Sequence, residues 1–172
     1  MELFQTYSES GELLGLVERS QVHQSGLWHK AAQVFLFNSR RELLVQKRAT
    51  QKDLYPDHWD SSVGEHLIPG ESYIEGARRG LREELGVTLE HLMPLGSEQR
   101  MILEGEGFRD CEFQLAFQGS FDGMIVPDEQ EVEDVKWVNS AQLAAMFASP
   151  EVKIAPWFRH HYSTYDFRNS FS

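Results

Sequence analysis

Residues 70–87 (GESYIEGARRGLREELGV) constrain the fold more than any other stretch of the chain. Ser72, with Glu75 three residues on, forms a capping box, and Gly86 suits the left-handed position just past a helix end. The spacing predicts a helix from about Tyr73 to about Leu85. Ile74, Ala77, Leu81 and Leu85 then share one face and are expected to pack on a sheet. Positions 80, 83 and 84 project from a different face. Glu83 and Glu84 repel each other unless something neutralises them. A hard cation with oxygen ligands does so; a solvated acidic turn laced with arginine is the plainer alternative. Gly80 sits oddly in a helix interior, where glycine costs about 1 kcal/mol relative to alanine. Its presence implies that a ligand or another backbone comes close.

With 172 residues and 41% hydrophobic content, the chain is long enough for one domain with a real core, and a single domain over residues 1–172 is expected. The net charge of −11 argues against duplex nucleic acid as a partner. An acidic protein that handles an anionic substrate needs local positive charge, from a metal or from a few placed lysines and arginines. Cys111 is the only cysteine, so no internal disulfide forms. No signal pattern or long apolar run stands out, and a soluble, cytoplasmic protein without membrane contact is the expectation.

Along the chain, residues 2–7 and 13–17 flank Ser10-Gly11 as a hairpin. Residues 1–28 read as this hairpin plus a polar connection that holds His23, with His29 at its end. Residues 31–37 form an apolar run expected to be a buried strand, and residues 42–48 return as another. Residues 59–63 are short and extended, and lead into a loop and helix over 64–87. Residues 96–103 and 109–117 read as an antiparallel pair around a turn at 104–107. Residues 132–139 form a further strand, Ser140 caps a helix over about 141–147, and Pro156 opens a last helix. Strands with helices in separate places fit an α/β/α sandwich.

The 64–87 segment resembles the Nudix box, the signature of enzymes that handle diphosphates on a divalent metal. Glu71, Arg79, Leu81, Glu83, Glu84, Gly86 and Val87 fall in register with that pattern. Glu65 stands where its first glycine belongs, and Gly80 where the first glutamate of its cluster belongs. Residues 43–52, then Tyr55-Pro56 and residues 59–63, resemble the isopentenyl-diphosphate isomerase branch, which also contains hydrolase-like members. The resemblance implies a Nudix-type α/β/α sandwich with a mixed sheet and an N-terminal β-hairpin. Those isomerases carry a metal site of three histidines and two glutamates, plus a catalytic cysteine. By position, the metal site falls on His29, His66, Asp110 and Glu112, and on His23 only if the connection is one residue shorter. The carboxylate of the box helix matches Glu84, and the residues that grip the diphosphate match Arg48 and Lys52. The cysteine falls on Gly64. Cys111 does not replace it, because alternation turns its side chain away from Asp110 and Glu112.

The resemblance therefore implies a divalent-metal-dependent hydrolase that cleaves a diphosphate linkage in a small nucleotide or related metabolite. An isomerase-like enzyme and a diphosphate-binding domain without turnover are the alternatives. Glu83, Glu84 and Glu112, with His29 and His66, are the candidate metal ligands, and Mg²⁺ or Mn²⁺ the expected ions. A histidine–carboxylate set favours Mn²⁺ or Zn²⁺ over Mg²⁺. Glu83, Glu84, Glu112 and Arg79 form the candidate catalytic group, with Arg79 orienting the glutamates through a forked hydrogen bond. Arg48 and Lys52 are the candidate phosphate contacts, although Lys52 also fits a solvated loop. Glu71 fits a loop cap or a metal contact. Glu65 is a candidate to replace, across space, the carboxylate missing at Gly80. His160 and His161 lack a partner motif and are expected at the surface. Dimerisation is common in the superfamily and a homodimer is in keeping with it, though no residue here fixes one.

Overall fold

The computed structural model describes residues 2–105, 107–165 and 170–171. In chain order, the elements are β1 (Leu3–Tyr7), β2 (Leu13–Glu18), α1 (Arg19–Ser25), β3 (Trp28–Phe37), β4 (Leu43–Arg48), β5 (Trp59–Asp60), β6 (Val63–His66), α2 (Tyr73–Leu85), β7 (Met93–Pro94), β8 (Gln99–Gly105), β9 (Phe108–Ser120), β10 (Val132–Val138), α3 (Ser140–Ala148) and α4 (Pro156–Thr164). The strands join in one mixed sheet with the path β10-β4-β3-β1-β2, to which β5 adds on β4, β6 and β9 on β3, and β7 and β8 on β9.

β3 is the axis of the site. It runs parallel to β9, with His29 opposite Glu112, and antiparallel to β6, with Ala31 opposite His66 and Gln33 opposite Gly64. Alternation then separates its two faces. Ala32, Val34 and Leu36 join Ala77, Leu81 and Leu85 of α2 in one core. Phe35 and Phe37 join Leu143, Met146 and Phe158 of α3 and α4 in a second core. The sheet is thus sandwiched between α2 and the α3/α4 pair, as expected of an α/β/α arrangement.

The α2 helix forms as its sequence predicts. The capping box of Ser72 and Glu75 is present, and Gly86 ends the helix at φ 65°. Gly80 has a specific cause. A Cβ there would lie 2.6 Å from Val63 Cγ1 and 3.0 Å from Glu65 Cβ. The close neighbours are side chains of β6, rather than a ligand or a backbone.

Several expectations need correction. The polar connection after β2 contains a helix, α1, which Val22 and His23 anchor from its buried side and which Gly26 ends in the left-handed region. Two turns are too short for helical periodicity to show. The strand expected from residue 96 starts at Gln99, because Gly96 turns at φ 88°. Asn139, not Ser140, caps α3, accepting from the Gln142 amide. Of the turn expected at 104–107, Glu106 lies outside the described residues. Among the described residues, no helix is long and apolar enough to cross a membrane.

Candidate metal centre and its cavity

His23 comes from α1, His29 from β3, His66 from β6, and Asp110 and Glu112 from β9. The ring centroids of the three histidines lie 5.0–5.4 Å apart. Donor atoms of His23, His29 and His66, and of His29, Asp110 and Glu112, lie within 4.8 Å of one another. His23 therefore belongs to the cluster: α1 shortens the path between β2 and β3 and carries it there.

The local contacts leave these atoms aimed inward. His29 Nδ1 faces the Leu27 carbonyl at 3.0 Å, which leaves Nε2 towards Asp110 at 3.5 Å and Glu112 at 3.6 Å. His66 Nε2 lies 2.9 Å from Glu112 Oε1. Phe4 of β1 stacks on His29 with ring centroids 5.3 Å apart, so the N-terminal hairpin roofs the cluster. His23 Nε2, His29 Nε2 and Asp110 Oδ1 are all buried without a hydrogen-bond partner. Buried polar atoms are rarely left so. Three of them converging on one point fit a bound divalent cation, which would be held by His23, His29, His66, Asp110 and Glu112.

The electrostatics describe the same strain. Burial, together with the His66 and His29 charges, holds His23 down to about 3. Burial and the Glu112 charge raise Asp110. For Glu112 burial acts upward, but contacts with His29 and His66 outweigh it and hold the carboxylate well below its usual range.

A second group gathers around Arg79. Its guanidinium donates to both Glu71 oxygens at 2.9 and 2.8 Å and to the His66 carbonyl at 2.8 Å. It also reaches Glu65 at 3.2 Å and Glu83 at 3.4 Å. Glu71 accepts from the Ile68 amide as well, so its contacts are those of a loop brace. Glu84 accepts from Gln46 Nε2 at 2.9 Å. Burial, then repulsion from Glu65, pushes Glu84 up to about 8. Burial, opposed by Arg79, pushes Glu65 up to about 7. Glu83 is about half exposed at the rim, beside Arg79 and Arg82.

Both groups open on one cavity of about 500 Å³. Arg19, Arg48 and Lys52 line it as well. Arg48 is held by the Leu54 carbonyl and stacks on Trp157, and Lys52 pairs with Glu131. Arg19, which the sequence did not single out, pairs with Asp53 at 3.2 Å.

Two further differences matter. Glu112 does not join the glutamates of α2; its partners are His66, His29 and Gln114. His161 is not at the surface but fully buried. Its Nε2 lies 2.8 Å from Gln114 Oε1, and Gln114 Nε2 donates to Glu112. An amide oxygen only accepts, so His161 donates. The chain His161–Gln114–Glu112 fixes the carboxylate from α4. Its sequence signal was a glutamine in the apolar part of β9. Cys111 is buried on the other face of β9, as alternation requires.

Residues 27–158 match the NUDIX domain model, and the chain belongs to that family. Its curated relatives include isopentenyl-diphosphate Delta-isomerases. The one from Aromatoleum aromaticum is 36% identical over 137 residues, covering 80% of this chain and 77% of the relative. The one from Streptomyces avermitilis is 32% identical over 158 residues, covering 91% and 79%. The crystal structure of DR0079 from Deinococcus radiodurans aligns with a TM-score of 0.74 at 22% identity, covering 96% of this chain and all of that one. A MutT protein from Methanosarcina mazei aligns at 0.64 and 21% identity, covering 83% and 95%. These two solved structures show a shared fold.

Proposed function

We propose that this protein is a divalent-metal-dependent hydrolase acting on the diphosphate linkage of a small metabolite. One observation carries the reading. Among the described residues, no thiol or hydroxyl side chain lines the cavity, and the position that holds the catalytic cysteine in the related isomerases is Gly64. This reading assigns the attack to a water molecule rather than to a side chain. A divalent ion held there would supply charge neutralisation and acidify a water.

The protein's own residues divide the remaining work. His23, His29, His66, Asp110 and Glu112 form a nitrogen–oxygen set suited to Mn²⁺ or Zn²⁺. Glu84 and Glu83 would offer oxygen ligands to Mg²⁺ or Mn²⁺. Arg79 orients the glutamates around it. Lys52 and Arg19 are positioned at the cavity to take phosphate oxygens by exchanging their present carboxylate partners, and Arg48 lies deeper in, facing the buried Asp60 carboxylate at 3.5 Å. Glu65 takes the part of the carboxylate missing at Gly80. The space for a side chain at 80 is already filled by Val63 and Glu65, and Glu65 lines the cavity beside Arg79.

The isomerase reading has the curated relatives in its favour. Against it stands Gly64, which removes one partner of an allylic proton shuttle. The two readings separate in one experiment. The purified protein is incubated with nucleoside di- and triphosphates, nucleotide sugars and isopentenyl diphosphate, with Mn²⁺ or Mg²⁺ in deuterated water. Phosphorus NMR is expected to show cleaved diphosphate, and carbon-bound deuterium is expected to be absent. Deuterium entering isopentenyl diphosphate without cleavage would overturn the proposal. Binding without either outcome would favour a domain that senses a diphosphate. The role given to Glu65 fails if Glu65→Gln hydrolyses as fast as the wild type.

A further inference from the structure

Gln33 is a polar residue inside the largely apolar strand β3, and it is 4% exposed. It stands opposite Gly64 in the β3–β6 register. Its carboxamide fills the room that a side chain at position 64 would take. A Cβ on Gly64 would lie 3.0 Å from Gln33 Oε1 and 3.5 Å from Nε2. Both residues line the cavity.

The other buried glutamines near the site have partners: Gln46 donates to Glu84, and Gln114 links Glu112 to His161. Gln33 Oε1 is buried without one. A filler would be better served by methionine or leucine, which take similar volume and leave no polar atom unpaired. The two ends of a carboxamide also have nearly the same shape, so a half-turn presents either donor or acceptor to the cavity at little steric cost.

The geometry points to the Gln33 carboxamide as a ligand-recognising group that selects a diphosphate whose organic part carries hydroxyl or amino groups over one carrying a bare hydrocarbon chain. This rests on the cavity being the diphosphate site. A polar substrate completes the hydrogen bonds of Gln33 on binding. A hydrocarbon laid over the same amide leaves it unpaired, and sites built to hydrogen-bond a substrate group discriminate strongly against analogues that lack it. Gln33 and Gly64 thus act as a pair: the missing side chain at 64 makes room for the amide.

The test is equilibrium binding by calorimetry with Mn²⁺. The probes are the hydrolysis-resistant α,β-methylene analogue of ADP and isopentenyl diphosphate. The wild type is expected to bind the nucleotide analogue at least about tenfold more tightly, in line with the loss of one buried hydrogen bond. Gln33→Met is expected to bring the two affinities together, by weakening the nucleotide and strengthening the hydrocarbon ligand. Gly64→Ala pushes a methyl against the carboxamide and is expected to act in the same direction. It carries the test should Gln33→Met fail to fold. An unchanged affinity ratio in the variants overturns the assignment. So does a wild type that binds both probes equally or neither. Intact selectivity without any phosphorus release supports the assignment while removing the hydrolase reading. Intact hydrolysis with selectivity indifferent to Gln33 does the reverse.

Discussion

The two charged regions of the cavity are built on opposite plans. Around Arg79, the protein supplies part of the counter-charge: one guanidinium braces Glu71 and reaches Glu65 and Glu83, while Glu84 has the neutral Gln46 amide. Around His29, the counter-charge to Glu112 comes from His29 and His66. Three histidines and two carboxylates converge, and three of their atoms are buried without partners. The first region is a frame that keeps its shape alone. The second would be completed by the divalent cation proposed above. Reactivity is therefore expected to depend on the frame, and stability on the incomplete centre.

The largest effect is expected from the frame. Glu84→Gln keeps the shape of the side chain and removes its capacity to ionise. Hydrolysis is expected to fall at least about 100-fold while the melting temperature holds or rises, since burial already opposes the Glu84 charge, and removing a ligand should exceed the loss seen when only a ligand's support is removed. Steady-state kinetics beside a thermal melt check both halves.

The incomplete centre predicts the next effect. Chelation with EDTA removes a ligand that binds only the folded state. At a hundredfold excess of ion over its dissociation constant, that ligand contributes about 2.7 kcal/mol. For a chain of this size the melting temperature is expected to drop by about 5–10 °C, and His29→Asn is expected to abolish the drop. Scanning fluorimetry with and without chelator reads both.

The junction of the two regions gives a smaller effect. Gly80→Ala gains about 1 kcal/mol of helix propensity. It also drives a methyl to 2.6 Å from Val63 Cγ1, and overpacking of this kind costs about 1–3 kcal/mol. Net destabilisation of about 1 kcal/mol is expected in urea unfolding. Stabilisation would show that β6 yields easily.

A further effect lies behind the incomplete centre. Burial holds His161 at about 3, below the ordinary histidine value. As pH falls below about 6.5, the unfolded chain takes up a proton that the folded chain refuses until about pH 3. This part of the stability is therefore full above pH 6.5 and lost as pH falls towards 3. The slope is at most about 1.4 kcal/mol per pH unit. Urea unfolding at pH 5 and 7 is expected to show a smaller pH difference in His161→Gln than in the wild type.

Legibility followed the same division. The frame could be read in the sequence, because capping, helical spacing and a terminal glycine are local signals, and they place Glu83, Glu84 and Arg79 on one short helix. The incomplete centre could be read only in pieces. His29, His66, Asp110 and Glu112 came from a family resemblance, and His23 stayed open until α1 supplied its path. His161 was misread as a surface residue because its partner, Gln114, is far away in sequence. Gln33 and Gln114 did leave a trace, as glutamines inside apolar strands. The burial of Gly80 against β6 is a tertiary contact that no local pattern carries.

Metal content measured by mass spectrometry after dialysis against Mn²⁺ and removal of free ion tests the contrast most directly. The account predicts about one tightly held ion per chain in the wild type, kept in Glu84→Gln and lost in His29→Asn. A wild type that holds no ion yet shows no sensitivity to chelator, or a His29→Asn protein that holds as much as the wild type, would contradict it.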